Sequence, residues 1–244
     1  MRKMTAIAAV ALLSGCGGGG EVASVSKPMA QLTQCPALTP LASQKFTRSK
    51  AVPLPADPLG TIMASSRQQL AVTSLAGGTS CVDVRMMNNL EGFRLQQGDR
   101  YLSFGWQGYQ DQGYRTDGHK LIDRSTGRVV ETGGWPVFSP SGQMFASAYQ
   151  SETAFAEING FGVWRVTTNG PIPVAVVDDL PEMLDWRVDS WGSESCVNLS
   201  AVSFSSVPVG TKDFSSAPRE RYVAKQTGAS WQVDEADGKS CPAG

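Results

Sequence analysis

One acidic stretch gathers the side chains best suited to a chemical reaction, namely Asp178, Asp179, Glu182, Asp185 and Asp189. Glycosidases hold two carboxyl groups several ångströms apart across a sugar, so this stretch is the best enzyme candidate in the chain. Its spacing fixes no two carboxylates opposite each other, and it lacks the alternating Asp-x-Asp-x-Asp pattern of calcium loops. We therefore expect neither catalysis nor metal binding there.

The chain lacks residues that a serine hydrolase triad or a zinc site would need. His119 is the only histidine and stands in "TDGHKLID", which predicts a solvated turn leading into a strand. A serine hydrolase would need this residue as its base, yet the chain has no Gly-x-Ser-x-Gly elbow. A zinc site usually takes three protein ligands, and no Cys-x-x-Cys pair is present. The sequence predicts a protein that is not an enzyme and takes no cofactor or metal.

An aromatic segment, "GWQGYQDQGY", favours binding over catalysis because its glycines and glutamines offer little to bury its rings. The rings belong to Trp106, Tyr109 and Tyr114. Exposed aromatic rings beside amide side chains suit a sugar ring or a protein partner. In the alternative interpretation, Trp106 ends a core strand and the tyrosines only cover it. The other tryptophans fall in or beside predicted strands and are expected in the core: Trp135, Trp164, Trp186, Trp191 and Trp231.

Short runs of alternating apolar residues, separated by Gly, Asn and Asp, predict an all-β domain from about residue 60 onward. Two pairs of segments repeat within it. "FRLQQGDRYLSFGW" aligns with "VFSPSGQMFASAYQ" when Gly98 is set on Gly142, an offset of 44 residues. "LIDRSTGRVVE" aligns with "VWRVTTNGPIPVAVV" when Gly127 is set on Gly170, an offset of 43 residues. Each repeat unit therefore predicts a four-stranded antiparallel meander.

Two more copies of this unit are indicated. A longer third copy begins with "LDWRVDSWGSESCVNLSAVSF" and ends with "RYVAKQTGASWQVDE", which has its own Thr227-Gly228 turn. A degenerate copy precedes the others, in "TIMASSRQQLAVTS" and "CVDVRMM". The domain is thus expected to contain three to four meanders.

The segment "WPVFSPSGQMFASA" resembles the blade signature of TolB-type and WD-type β-propellers. Phe138, Ser139, Pro140 and Gly142 match that signature, and Ser141 stands where the family usually has Asp. The resemblance implies an all-β, propeller-like array of three to four four-stranded antiparallel meanders. Closed propellers generally have four to eight blades, so a small closed propeller, an open stack of sheets and a β-sandwich remain alternatives.

The N-terminal residues are typical of an export signal. Arg2 and Lys3 precede an apolar run of about ten residues, which is too short to span a bilayer. "LSGC", ending at Cys16, resembles the bacterial lipoprotein signal, or lipobox. The resemblance implies that Cys16 receives a diacylglyceryl group, becomes the mature N-terminus and is then acylated, for example with palmitate. The alternative is an ordinary signal peptide, and Gly17 in place of Asp favours the outer membrane over the inner one.

These features divide the chain into a signal peptide (1–15), a Gly/Ser/Pro-rich tether that begins with the lipidated cysteine (16–58), and an all-β domain (59–244). Without the signal, 19 basic and 22 acidic side chains remain, and this slightly negative balance gives no support to nucleic-acid binding. Four cysteines remain, an even number typical of disulfides in an exported protein. Among three possible pairings we favour Cys35–Cys81 and Cys196–Cys241, which keep both loops short.

The sequence therefore predicts a lipoprotein of the bacterial cell envelope, held at the outer membrane by its N-terminal lipid and exposed to the periplasm. We expect a non-catalytic binding or scaffolding module that presents loops to an envelope protein or a glycan. The alternative function is a glycan-active hydrolase that uses the acidic loop cluster.

Overall fold

The computed structural model describes residues 29–41, 47–109, 115–150, 159–208, 213–238 and 240–242. In these ranges the chain forms fifteen β-strands and only three short 3-10 helices, at Leu32–Gln34, Gly60–Ile62 and Phe204–Ser206. The predicted all-β class is confirmed.

The strands form four antiparallel sheets, each built from consecutive strands. Sheet 1 has three strands, β1 (Met63–Ser65), β2 (Gln69–Thr73) and β3 (Thr79–Asp83). Sheet 2 contains β4 (Met87–Gln96), β5 (Tyr101–Tyr109), β6 (Arg115–Asp123) and β7 (Arg128–Glu131). Sheet 3 contains β8 (Val137–Phe138), β9 (Met144–Tyr149), β10 (Gly160–Arg165) and β11 (Ile172–Val177). Sheet 4 contains β12 (Leu184–Ser193), β13 (Cys196–Val202), β14 (Glu220–Thr227) and β15 (Ser230–Glu235).

The sequence repeat corresponds to this architecture. The aligned glycines Gly98 and Gly142 occupy the turns after β4 and β8, with φ of 60° and 69°. Gly127 and Gly170 occupy the turns after β6 and β10, with φ of 79° and 99°. Because side chains other than Asn and Asp rarely adopt positive φ, glycine at these positions fixes where each hairpin turns. Three units are four-stranded meanders as predicted, and the degenerate first copy has three strands.

The sheets pack face to face in chain order, and three apolar clusters hold them together. The first cluster joins sheets 1 and 2, the second joins sheets 2 and 3, and the third joins sheets 3 and 4. Successive side chains of a strand point to opposite faces of its sheet. Tyr101 therefore lies in the second cluster, whereas its neighbour Leu102 lies in the first. Sheets 2 and 3 therefore bury both of their faces, and Trp164, Trp186 and Trp231 lie in the core as expected.

Each outer sheet is bonded to a segment that lies outside the strands, one before β1 and one after β15. Cys35 is bonded to Cys81 of β3, and Cys241 is bonded to Cys196 of β13, so the favoured disulfide pairing is confirmed. Cys81 lies on the face of sheet 1 that points away from sheet 2, because its neighbour Val82 belongs to the cluster between them. On sheet 4 the two cysteines pack with Val223 and Ala236 in a buried cluster of their own.

The two ends of the sheets differ. We call "turn end" the end that carries the short turns, at residues 74–78, 97–100, 124–127, 139–143, 166–171, 194–195 and 228–229. We call "loop end" the opposite end. It carries the short turn at 66–68, the segments between the second and third strands of the four-stranded sheets, and the connections from one sheet to the next. Of these segments and connections the structure describes residues 84–86, 132–136, 178–183, 203–208 and 213–219.

Hydrogen bonds between successive sheets tie the turn end together. Arg124 donates its Nε hydrogen to the Thr73 carbonyl of sheet 1 at 2.8 Å. Arg100 of sheet 2 donates an Nη2 hydrogen to the Thr167 carbonyl of sheet 3, also at 2.8 Å. Glu194 of sheet 4 accepts the Ser141 amide hydrogen of sheet 3 at 3.0 Å. The turn end is thus one cross-linked surface.

The Tyr101 hydroxyl is an exception within this well-bonded end. It is buried and has no hydrogen-bond partner among the described residues, and burial raises its pKa to about 12. We predict that Tyr101→Phe raises the free energy of unfolding by about 1 kcal/mol, since it removes an unpaired buried polar group. Chemical denaturation followed by tryptophan fluorescence measures the change. Phe145, the aligned residue in the next unit, shows that a plain ring fits the position, so a destabilised variant would contradict the prediction.

Candidate functional site

The loop end holds several of the residues that the sequence singles out. Rigid sheets that support longer connecting segments at one end are the usual arrangement of binding surfaces, because loops can vary without disturbing the core. Tyr109 is the last residue of β5 and lies at the loop end. Asp178, Asp179 and Glu182 lie on the connection between sheets 3 and 4. Cys16, the predicted lipidation site, and Tyr114 lie outside the described residues.

Trp106 is held in place by neighbouring side chains. It lies on the face of β5 toward sheet 1, where its indole Nε1 donates to Glu131 Oε1 at 3.2 Å. Lys120 pairs with the same carboxylate at 2.5 Å and lies 5.7 Å from the indole ring. A Cβ at Gly118 would stand 2.9 Å from Glu131 Oε1, so glycine makes room for this group. Tyr109 is 37% exposed on the opposite face of β5, so these two rings do not form one platform.

His119 lies within β6, so the prediction of a solvated turn was wrong. Its Nδ1 stands 2.8 Å from the Gly133 carbonyl, which only accepts, so this nitrogen carries the hydrogen. The imidazole packs against Trp135, with ring centroids 4.3 Å apart, and Arg94 lies 4.1 Å from the same ring. Burial is the main cause that lowers the pKa of His119, which is therefore neutral at pH 7. The residue supports the packing of Trp135 between sheets 2 and 3.

The acidic stretch is divided by the fold. Asp178, Asp179 and Glu182 are exposed at the loop end. Asp185 stands 2.7 Å from Arg219 and 2.5 Å from Arg187, so two guanidinium groups share its carboxylate. Asp189 accepts a hydrogen bond from Ser200 at 2.8 Å and belongs to a different part of β12. Asp185 is thus occupied by structural ion pairs.

A cleft of about 580 Å³ lies beside the C-terminal tail on sheet 4, a volume within the usual range for ligand pockets. Strands β12 to β15 and the tail supply its lining, and its polar members are Asp189, Ser190, Asn198, Glu220, Arg221, Glu235, Asp237 and Ser240. Four carboxylate residues and one arginine give it an acidic character.

The tail that borders this cleft is fixed by three contacts. The disulfide attaches Cys241 to β13, and the Cys241 amide donates to Asn198 Oδ1 at 2.8 Å. The Ala236 amide donates to the Arg221 carbonyl at 3.0 Å. The sequence did not predict the cleft, because its lining residues come from four separate segments. The Cys196–Cys241 pairing was the one signal that places the tail on this sheet.

Tyr222 stiffens the sheet beside the cleft. Its ring packs on Trp186 with centroids 4.6 Å apart, and its hydroxyl donates to Glu220 Oε2 at 3.2 Å. Burial raises the pKa of Tyr222 to about 12, and the negative charges of Glu220 and Glu235 act in the same direction. The phenol therefore stays protonated at physiological pH and remains a donor to Glu220.

Among the described residues, no group of three or more His, Cys, Asp or Glu side chains is arranged to hold a metal ion. No helix in that same part of the chain is long and apolar enough to cross a membrane. In comparisons with known proteins, no family model matches this chain, and no curated protein matches it with significant similarity.

Proposed function

We propose that this protein is a non-catalytic binding module of the bacterial envelope, attached to a membrane leaflet by lipid on Cys16. Its partner is a protein or a glycan that binds at the loop end. The observation that supports this proposal best is a group of exposed side chains at the loop end. Tyr109 is 37% exposed at the end of β5, and Asp178, Asp179 and Glu182 are exposed on the connection between sheets 3 and 4.

The cleft on sheet 4 is one surface at which such a partner could bind. It reaches the loop end through Glu220, the first residue of β14, and through Asp237, which follows β15. Carboxylates accept hydrogen bonds from sugar hydroxyls and attract lysine or arginine side chains. A wall of this composition therefore suits a hydroxyl-rich or a cationic group of the partner.

The lipid anchor can be tested directly. We expect the full chain, expressed in a Gram-negative host, to enter the membrane fraction with a mature N-terminus at Cys16 that carries about three acyl chains by mass spectrometry. Two or more chains give stable anchoring, so release should require detergent. Cys16→Ser should yield protein that is not acylated and leaves the membrane. An unmodified N-terminus in the wild type would contradict the anchor.

Partner binding is tested by affinity isolation and by binding to envelope glycan fragments with the anchored protein. We expect Asp237→Asn, in the cleft, and Tyr109→Ala, at the loop end, to reduce retention about tenfold, the cost of a lost charge-assisted contact or aromatic anchor. The control is Asp99→Asn at the turn end, which should retain the partner as the wild type does. Equal retention by all variants would contradict a binding surface at the loop end. Hydrolysis of the glycan that disappears in Asp179→Asn would instead favour a hydrolase.

A further inference from the structure

The chain enters the domain at the turn end of sheet 1. The Gln31 amide donates to Thr79 Oγ1 at 3.3 Å, and this hydroxyl in turn donates to Gln34 at 2.5 Å. Thr79 is the first residue of β3 and follows the turn at 74–78, so residues 29–34 start beside that turn. The next residues run toward the loop end, where the Thr39 carbonyl accepts from Arg85 at 2.8 Å.

The length of chain before this point limits where a lipid on Cys16 can be. Twelve residues separate Cys16 from Met29, and they span at most about 45 Å when fully extended. A Gly/Ser-rich chain of this length averages about 20 Å from end to end. The ten residues of β4 measure roughly 30 Å from the turn end to the loop end. An anchored leaflet is therefore close to the turn end on average.

The surface at this entry point is apolar. Met29 is 65% exposed and Leu75, in the turn at 74–78, is 54% exposed. The exposed guanidinium groups of Arg128 and Arg165 also lie at the turn end, where β7 begins and β10 ends. By contrast, Asp178, Asp179 and Glu182 at the loop end are exposed carboxylates that an anionic leaflet repels. We call Met29, Leu75 and the turn at 74–78 the entry corner.

We infer that the entry corner rests on the anionic lipid leaflet that holds the N-terminal lipid, so that the loop end points away from the membrane. This inference rests on the proposed lipid at Cys16. It assigns a membrane-facing surface to one end of the stack and leaves the cleft and the loops free for a partner across the compartment. Partial burial of two apolar side chains adds to the acyl anchor and fixes an orientation that a tether alone does not.

The orientation can be tested by fluorescence quenching on vesicles. The native lipoprotein has no free thiol if the Cys16 sulfur carries the diacylglyceryl group, because the other four cysteines form disulfides. A fluorophore is attached to Ala76→Cys at the entry corner or to Asp179→Cys at the loop end. The protein is reconstituted in phosphatidylethanolamine and phosphatidylglycerol vesicles that carry a headgroup nitroxide. We expect at least threefold stronger quenching at residue 76, whereas equal or stronger quenching at residue 179 would overturn the inference.

A second variant separates contact from tethering. In Met29→Ser/Leu75→Ser the protein should stay on the vesicles, but quenching at residue 76 should fall about twofold. Phe204→Ser is the matched control, since Phe204 is 57% exposed at the loop end, and it should leave quenching unchanged. Unchanged quenching in the double variant would overturn contact by the entry corner. If Cys16→Ser floats with vesicles as well as the wild type, or if the wild type does not float, the anchor itself is wrong.

Discussion

Asp123→Asn is expected to lower the free energy of unfolding by about 3 kcal/mol, the order found when one member of a buried ion pair is removed. The Asp123 side chain is completely buried and stands 2.8 Å from Arg100. Its Oδ1 also accepts the amide and hydroxyl hydrogens of Ser125, at 2.9 and 2.6 Å. An asparagine keeps one oxygen but presents an NH₂ group to Arg100, whose other contact reaches Thr167 on sheet 3. The change therefore weakens a turn and the junction of two sheets together.

The same carboxylate makes stability depend on pH. Burial raises the pKa of Asp123, but the hydrogen bonds from Arg100 and Ser125 outweigh it and hold the pKa below its ordinary value of 3.8. A carboxyl group whose pKa is lower in the folded protein than in the unfolded one stabilises the fold fully at pH values above the unfolded-state pKa. This stabilisation is lost as the pH falls through the folded-state pKa. The stability difference between wild type and Asp123→Asn should therefore shrink below about pH 4.

Denaturant unfolding followed by tryptophan fluorescence at pH 7 and pH 3 measures both effects. Asp99→Asn is the matched control, because Asp99 is exposed on the adjacent turn and has a φ of 66° that asparagine also tolerates. This variant should stay within about 0.5 kcal/mol of the wild type. If Asp123→Asn were as stable as Asp99→Asn, the buried pair would not hold sheets 2 and 3 together.

Loss of the C-terminal disulfide is expected to cost up to about 4 kcal/mol, the loop entropy for its sequence separation of 45 residues. Cys196→Ser/Cys241→Ser removes the bond without leaving a free thiol. The tail bordering the cleft then depends on its backbone contacts, so hydrogen exchange at residues 236–242 should become much faster. Denaturant unfolding gives the stability change, and hydrogen exchange shows where it acts.

The N-terminal disulfide provides an internal comparison. Cys35–Cys81 has a sequence separation of 46 residues, so loop entropy alone predicts the same loss for Cys35→Ser/Cys81→Ser. Cleft ligand binding should weaken only in the C-terminal variant, because only that disulfide fixes the tail beside the cleft. Full protection of residues 236–242 in the C-terminal variant would show that the disulfide does not position the tail.

Local signals in the sequence were sufficient to predict much of the fold. The glycines of the repeat mark turns because their positive φ is a local backbone requirement, and Gly98 and Gly142 both meet it. The disulfide pairing followed from loop lengths. Aligned residues of the first two full units also share their environment, since Ser103 and Ser147 are both completely buried. The periodicity of the repeat thus predicts burial as well as hairpins.

These local signals did not predict contacts between segments that are distant in the sequence. Asp185 belongs by sequence to an acidic loop, yet its partner Arg219 comes from a segment 34 residues away. His119 looked like a turn residue because Asp117 and Gly118 precede it, but β6 continues through Gly118 opposite Trp106. The cleft depends on the path of the C-terminal tail across sheet 4. Each case depends on pairing across strands, which composition and spacing do not encode.

The two disulfide-bonded segments on the outer sheets affect whether further sheets can stack on those faces. A stack of similar sheets could in principle add further copies at each exposed face, as terminal repeats of solenoid proteins would without polar caps. Here residues 29–41 lie on one such face, and residues 236–238 and 240–242 lie on the other, and a disulfide fastens each segment to its sheet. A further sheet, from this molecule or from another, would therefore have to displace a disulfide-bonded segment before it could stack on either outer sheet.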